Sequence, residues 1–527
     1  MPSRRSIARL LVVAALTVAS AVAAPVAPPA RSLPERISTL LNSPDLAHGF
    51  WGIEVVSLGT GETLYAQNSD KLFVPASNTK LFTTAAALAL VGPDYKFRTT
   101  VETTGTLDRY GRLNGDLVLV GHGDPNLSGR ELPYDARTQR NDDPIQALES
   151  LVAVLVQKGV KYVDGDIVAD DSYFAFERYG EGWSQDDLIW EDGAPVSALT
   201  VNDNVVFVHI MPADRTGEKA FVSIKPFAEY YRLDNRIITT PAGTGRRFFV
   251  NREPGSTLLT LWGNLPLDDP GASEALAIED PAEFAAGLFR QLLEKSGIVV
   301  YGHQRTRHTE LATLSTFTAT ALAPSHGGSD DAARPLKSDQ PIILASYESK
   351  PLVEDVRVVN KVSQNLHAEI LLRLLGRERG SAGNVEGGLE VLRGFLTQAG
   401  IASDQYVFYD GSGLSRQNLV TPHAVAQLLR YASSQPWSAA YKSSFPVAGV
   451  DGSLSERLTA PRLQKRVLAK TGSLSGVKTL SGYATTDSGQ TVAFSILSNN
   501  LNLPVKRVTD TLDAIVEAIV EDTPVGR

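Results

Sequence analysis

The chain has 527 residues, 43% of them hydrophobic and 21% charged, a composition that can bury a sizeable core, excludes intrinsic disorder and corresponds in length to about three domains. A formal charge of −9 and a pI near 5.5 leave no basic footprint for nucleic acid or for an anionic membrane surface. The absence of cysteine excludes a catalytic thiol, thiolate metal ligands, iron–sulfur clusters and disulfides together.

The first predicted element is an export signal. Arg4, Arg5 and Arg9 form a basic region, Leu10 to Ala19 an apolar one, and Ala21-Val22-Ala23 a small-x-small cleavage pattern, so the mature chain is expected to start near Ala24. An uncleaved anchor is the alternative, and Ser3-Arg4-Arg5-Ser6-Ile7 loosely resembles a twin-arginine signal. Gly52 to Ser57 and Glu62 to Tyr65 alternate about a Leu58-Gly59-Thr60-Gly61 turn and predict a hairpin. From Asn78 the sequence is apolar almost all round until Gly92-Pro93, the pattern of a helix buried in a large core. Residues 95 to 270 contain mostly strand-like segments, among them Leu117 to Val120, Val205 to Ile210 and Thr257 to Trp262, separated by Gly, Asp and Pro. Pro281 to Lys295 predicts an amphipathic helix, and Ala321 to Pro335 a flexible connector. From Ile342 helices dominate, notably Leu366 to Leu375 and Val385 to Ala399. Strands then follow at Val467 to Ala469, Val477 to Tyr483 and Thr491 to Leu497, with a turn at Asp487-Ser488-Gly489, and Val508 to Val520 closes the chain as a helix. No repeat of solenoid period is present.

Ser77-Asn78-Thr79-Lys80 places a hydroxyl and an amine three residues apart at the start of the buried helix, on one face. A serine needs a proton acceptor to attack a carbonyl, and a desolvated lysine near a helix N-terminus can become that acceptor. The spacing recurs by chance in Ser475-Gly476-Val477-Lys478, so alone it is weak. Ser363-Gln364-Asn365, before a predicted helix, offers a second hydroxyl and an amide for proton relay and peptide binding; Ser498-Asn499-Asn500 fits that loose pattern too. Lys470-Thr471-Gly472 occurs once, in a predicted strand, with a cation and hydroxyl suited to a carboxylate and a glycine that admits substrate backbone. The three motifs in this order are specific. Competing candidates are weaker. His303 and His308 have no carboxylate at ligand spacing, so no metal or other cofactor is expected. No GxSxG elbow is present, and Asp186-Asp187 and Asp330-Asp331 read as solvated turns rather than a glycosidase pair.

This motif set resembles the penicillin-recognising serine enzymes, which comprise the serine β-lactamases and the DD-peptidases known as penicillin-binding proteins. The long separation of Ser77 from Ser363 leaves about 240 residues of β-rich chain as an insertion. That organisation is similar to the class C low-molecular-weight penicillin-binding proteins, the D-alanyl-D-alanine carboxypeptidase/endopeptidase family. Strings including Gly123-Asp124-Pro125-Asn126-Leu127, Ser197-Ala198-Leu199-Thr200-Val201-Asn202 and Asp410-Gly411-Ser412-Gly413-Leu414-Ser415-Arg416 carry the likeness along the mature chain. The resemblance implies an α/β (α+β) catalytic domain, an antiparallel sheet with helices, in segments 24–91 and 339–527. The insertion would span 92–338 as two nested domains, the inner one about 199–278, after a signal at 1–23.

The resemblance further implies that Ser77 is the nucleophile, Lys80 its base, Ser363 the proton shuttle and Asn365 an orienting group. Lys470 and Thr471 would hold the substrate carboxylate beside Gly472, with the backbone N–H groups of Ser77 and Ser473 as oxyanion hole. Gly472, Ser473, Trp183 and Asp186 would also line the substrate site, with Asp186, three residues after Trp183, pairing with the free amine of a diaminopimelate side chain. The expected activity is release of D-Ala from peptidoglycan stem peptides, with cleavage of peptide cross-links, through an acyl-enzyme that β-lactams trap, in the periplasm or elsewhere in the extracytoplasmic envelope. Membrane association is at most peripheral, and no motif specifies an oligomeric state. A serine β-lactamase and a non-catalytic wall-binding scaffold are the alternatives.

Overall fold

A computed structural model describes residues 32–125, 127, 130, 144–226, 229–314 and 340–521. The export signal, Asn126, Asp330-Asp331 and the Ala321–Pro335 connector lie outside the described residues. No helix among the described residues is long and apolar enough to cross a membrane.

The catalytic region is built on a five-stranded antiparallel sheet in the order Thr63–Gln67, Phe50–Ser57, Thr491–Asn499, Val477–Thr485, Val467–Leu474. The two ends of the sequence thus share one sheet. Side chains alternate between its faces. Ile53, Val55, Phe494 and Ile496 pack against the terminal helices Leu33–Leu41 and Val505–Val520, while Tyr483, Ala493 and Leu497 face the helical layer. That layer holds Thr79–Leu90, Leu352–Lys361, Asn365–Arg379, Val385–Gln398 and Pro422–Ser433. Thr79 to Leu88 are all buried, which is why this helix shows no polar stripe.

Between these halves stands a second five-stranded sheet, in the order Gln304–Thr309, Ile167–Ala175, Leu117–Gly121, Lys96–Thr103, Ile342–Pro351. Helices Gln146–Gln157 and Pro281–Lys295 belong to its core. Two departures from the sequence reading lie here. Gln146–Gln157 is a helix inside a stretch read as strand-like, because Val152, Val154 and Val156 alternate with Leu and Ala and imitate period two. Ile342–Pro351, read as the start of the second catalytic segment, is a strand paired with Lys96–Thr103 and closes the sheet of the inserted region. Two three-stranded sheets occupy residues 205–277. One is Phe221–Lys225, Val205–Met211, Ala272–Ala277; the other is Arg232–Thr240, Leu258–Pro266, Arg247–Asn251.

Candidate active site

Ser77 lies in a turn of 3-10 helix, Ala76–Asn78, that runs into Thr79–Leu90. This turn is fastened to the sheet. Asn78 Nδ2 donates to the Lys470 carbonyl at 3.0 Å, Ser481 Oγ to Asn78 Oδ1 at 2.7 Å, and Thr479 Oγ1 to the Pro75 carbonyl at 3.0 Å. Ala76 has φ +47°, a left-handed conformation that costs of order 1–3 kcal/mol in a non-glycine residue. Gly413 presses against it so closely that a Cβ there would lie 1.9 Å from the Ala76 carbonyl oxygen.

Lys80 is wholly buried. Its Nζ donates to Ser77 Oγ at 2.8 Å, to Asn365 Oδ1 at 2.6 Å and to the Ser412 carbonyl at 2.6 Å, so each ammonium hydrogen has an acceptor. Burial nevertheless lowers its pKa to about 8, against the opposing pull of Asp410, Glu369 and Asp192. Ser363, at φ +67°, accepts a 2.8 Å hydrogen bond from Lys470 Nζ. Lys470 is buried as well, and desolvation followed by repulsion from Lys80 holds its pKa well below that of an ordinary lysine. Thr471 donates to Ser453 Oγ at 2.8 Å.

These groups frame a cleft of about 560 Å³ lined by Ser77, Ser363, Asn365, Thr471, Ser473 and Asp186. Val467–Leu474 is the edge strand of its sheet, which leaves backbone donors and acceptors open toward the cleft. Gly472 permits the close packing: a Cβ would sit 2.1 Å from Thr479 Oγ1 and 3.1 Å from the Ser77 nitrogen. Asp187 lines the same wall as Asp186, and burial and the Asp186 charge raise its pKa.

Two of the residues expected to bind substrate carry hydrogen bonds within the protein. Trp183 turns its indole N–H to Asp410 Oδ2 at 3.0 Å and packs against the helical core, behind the cleft wall. Lys470 Nζ donates to Ser363 Oγ at 2.8 Å and to the Thr471 carbonyl at 2.7 Å, and Thr471 and Ser473 line the cleft. The chance SxxK lies on the turn between Val467–Leu474 and Val477–Thr485, where Lys478 Nζ donates to Ser473 Oγ at 2.7 Å. His308 Nδ1 meets Asp171 Oδ1 at 2.7 Å, and among the described residues no group of three His or acidic side chains forms a metal cage.

The residues that the motifs did not reveal support them from the inserted region and from the second catalytic segment. Asn365 Nδ2 donates to the Asp192 carbonyl at 2.8 Å, while Gln364 Nε2 reaches Glu191 Oε1 at 3.3 Å and Asp203 Oδ2 at 3.4 Å. Asp203 sits in a run of three left-handed residues, Asn202, Asp203 and Asn204, and also receives the buried Arg130 guanidinium. Glu369 accepts the backbone N–H groups of Gly411 and Ser412 at 2.9 and 2.8 Å, with its pKa raised to about 7 by burial and by Asp410. Asp410 binds the N–H groups of Gly413 and Ser415 at 2.8 and 2.6 Å. The string from Asp410 to Arg416 was visible in the sequence, but nothing in it signalled that Ser412 would meet Lys80.

An antiparallel sheet backed by helices, with a cleft serine on a buried lysine where the layers meet and a second serine opposite, is the construction of the penicillin-recognising serine enzymes. Known proteins narrow that class. The model of the D-Ala-D-Ala carboxypeptidase 3 (S13) family matches residues 33–321 and 307–519, and this chain belongs to that family. A D-alanyl-D-alanine carboxypeptidase of an Actinomadura species is 34% identical over 500 residues, which cover 93% of this chain and 84% of the relative. D-alanyl-D-alanine carboxypeptidase DacB of Haemophilus influenzae is 26% identical over 457 residues, 84% of each chain. The fold is shared with the crystal structure of penicillin binding protein 4 from Haemophilus influenzae, which has a TM-score of 0.76 at 24% identity over 92% of this chain and 99% of the other.

Proposed function

We propose that this chain is an exported serine DD-peptidase of the cell envelope that removes D-Ala from D-Ala-D-Ala stem peptides and cleaves peptide cross-links of peptidoglycan, with Ser77 as nucleophile. The observation that carries the assignment is the buried Lys80 Nζ, 2.8 Å from Ser77 Oγ on the floor of the cleft. Neutral Lys80 takes the Ser77 proton as Oγ adds to the terminal amide carbonyl. The Ser77 and Ser473 N–H groups stabilise the oxyanion. Lys470 donates to Ser363 Oγ and so leaves the Ser363 hydroxyl hydrogen free to pass to the departing nitrogen, and the proton that Lys80 took from Ser77 replaces it on Ser363. The C–N bond breaks, D-Ala leaves as the amine, and water hydrolyses the Ser77 ester. A β-lactam enters by the same attack and stays bound as the acyl-enzyme. Thr471 holds the substrate carboxylate, and the Asp186 carboxylate pairs with a diaminopimelate ammonium.

Labelling with a fluorescent penicillin tests the core of this reading. Ser77→Ala abolishes the label and Ser475→Ala retains it; the reverse pattern refutes the assignment. Asp186→Ala lowers the preference for a free-amine peptide over its acetylated twin by roughly tenfold, as expected for a lost charge-assisted hydrogen bond. The check is the kcat/KM ratio of the two peptides, and an unchanged ratio reduces Asp186 to a loop acid.

A further inference from the structure

The catalytic cleft does not stop at Asp186. That residue also lines a second cavity of about 440 Å³, bounded by Tyr179, Gln185, Trp190, Asn251 and Arg252 of the inserted region. Trp190 is 37% exposed. Asn251 ends the strand Arg247–Asn251, and its exposed neighbour on the same face is Phe249. Phe249 pairs across the sheet with Trp262, which pairs in turn with Arg236. The Phe249 and Trp262 rings stack with centroids 5.4 Å apart and planes 22° from parallel. Both are solvent-exposed, at 43% and 40%, and the Arg247 guanidinium covers Phe249 with its carbon 5.3 Å from the ring centroid. A track of aromatic faces interleaved with amides and charged groups therefore leads from Asp186 across the inserted region to an exposed sheet face.

We infer that this track is a saccharide-binding site that holds the peptidoglycan glycan strand from which the stem peptide hangs. The inference rests on the reading of the chain as a wall peptidase, and it assigns to the inserted region a ligand that the catalytic groups do not touch. A pyranose ring presents C–H bonds on its faces and hydroxyl or acetamido groups on its edges. The faces suit the electron-rich faces of Trp262 and Trp190, with Phe249 stacked beside Trp262 to hold it, and the edges suit the carboxamides of Gln185 and Asn251 and the Asp234 and Arg236 pair. The Asp186 wall common to both cavities selects the occupant: a ligand in the second cavity adjoins what lies against Ser77, and a stem peptide is joined to glycan.

The test uses glycan strands stripped of peptide by an amidase, so that its readout is independent of peptidase activity. The wild-type protein binds them, and Trp262→Ala and Trp190→Ala each weaken binding roughly tenfold or more, the loss typical of a buried-on-binding tryptophan, while Trp262→Phe retains most of it. Unchanged thermal melting verifies that the variants are folded. In the wild type, added glycan shields tryptophan fluorescence from acrylamide, a measurement that needs no variant. Absence of glycan binding and of shielding in the wild type, or equal affinity in all four proteins, overturns the inference. Failure to release D-Ala from a soluble pentapeptide would instead overturn the peptidase reading, and the two results are separable because one assay contains no peptide.

Discussion

Burial strips water from the Lys80 ammonium, and three oxygen acceptors replace it. With its pKa lowered to about 8, roughly a tenth of the enzyme holds a neutral amine at pH 7. The penicillin acylation rate is therefore expected to rise with pH and level off above about 8, and a pH–rate profile measures it. The same displacement bears on stability. The folded value lies below the 10.5 of an ordinary lysine, so the cost of burying the ammonium is present below pH 8 and is relieved as pH rises from about 8 to 10.5. Lys80→Ala should slow acylation by roughly 10²–10⁴-fold, the usual worth of a positioned base, and abolish the pH dependence near 8; stopped-flow acylation of a folded variant checks both. The Ser77 and Lys80 spacing was legible in the sequence because the chemistry requires one helix face. Asn365 was legible through its motif with Ser363, but Ser412 was not, since it reaches Lys80 through its backbone carbonyl from a segment far along the chain.

The loop from Asp410 to Arg416 acts as a cradle, with its backbone turned inward onto the Asp410 and Glu369 carboxylates. Trp183 completes the Asp410 shell from the inserted region. Trp183→Phe preserves the packing and removes one hydrogen bond to a buried carboxylate, a loss of about 1–3 kcal/mol. As a positioning residue it should lower the maximal acylation rate while the dissociation constant of the initial penicillin complex stays near that of the wild type; a rate that falls together with a matching rise in that dissociation constant would make its role merely structural. Gly472→Ala places a methyl group against Thr479 Oγ1 and the Pro75 carbonyl, forcing the edge strand away from Ser77, and should reduce acylation more than thermal stability. The strands and helices around the motifs were legible because their apolar periods are clean. Helix Gln146–Gln157 was not, because its valines mimic a strand, and Ile342–Pro351 was not, because its partner Lys96–Thr103 lies across the insertion.

At the scale of the molecule the inserted and catalytic regions share a core. Phe97, Phe174, Val196 and Val205 belong to the same buried cluster as Phe82, Leu371 and Leu497. Excision of the insertion as a cassette should therefore expose apolar surface and give an aggregating product rather than a smaller enzyme, which size-exclusion chromatography of the excised chain would reveal. The sequence announced the insertion through motif spacing but could not show this shared core, because alternation identifies which side chains are buried and not what they are buried against. The sheet order carries a consequence in time. Phe50–Ser57 lies between Thr63–Gln67 and Thr491–Asn499, so the ribosome releases the first hairpin long before the strand that must dock beside it. Ser77 emerges early, yet Lys470 and the edge strand that complete its surroundings emerge almost 400 residues later. The nascent chain is thus chemically silent until those residues are out, and the contacts that switch the nucleophile on are among the most distant in sequence.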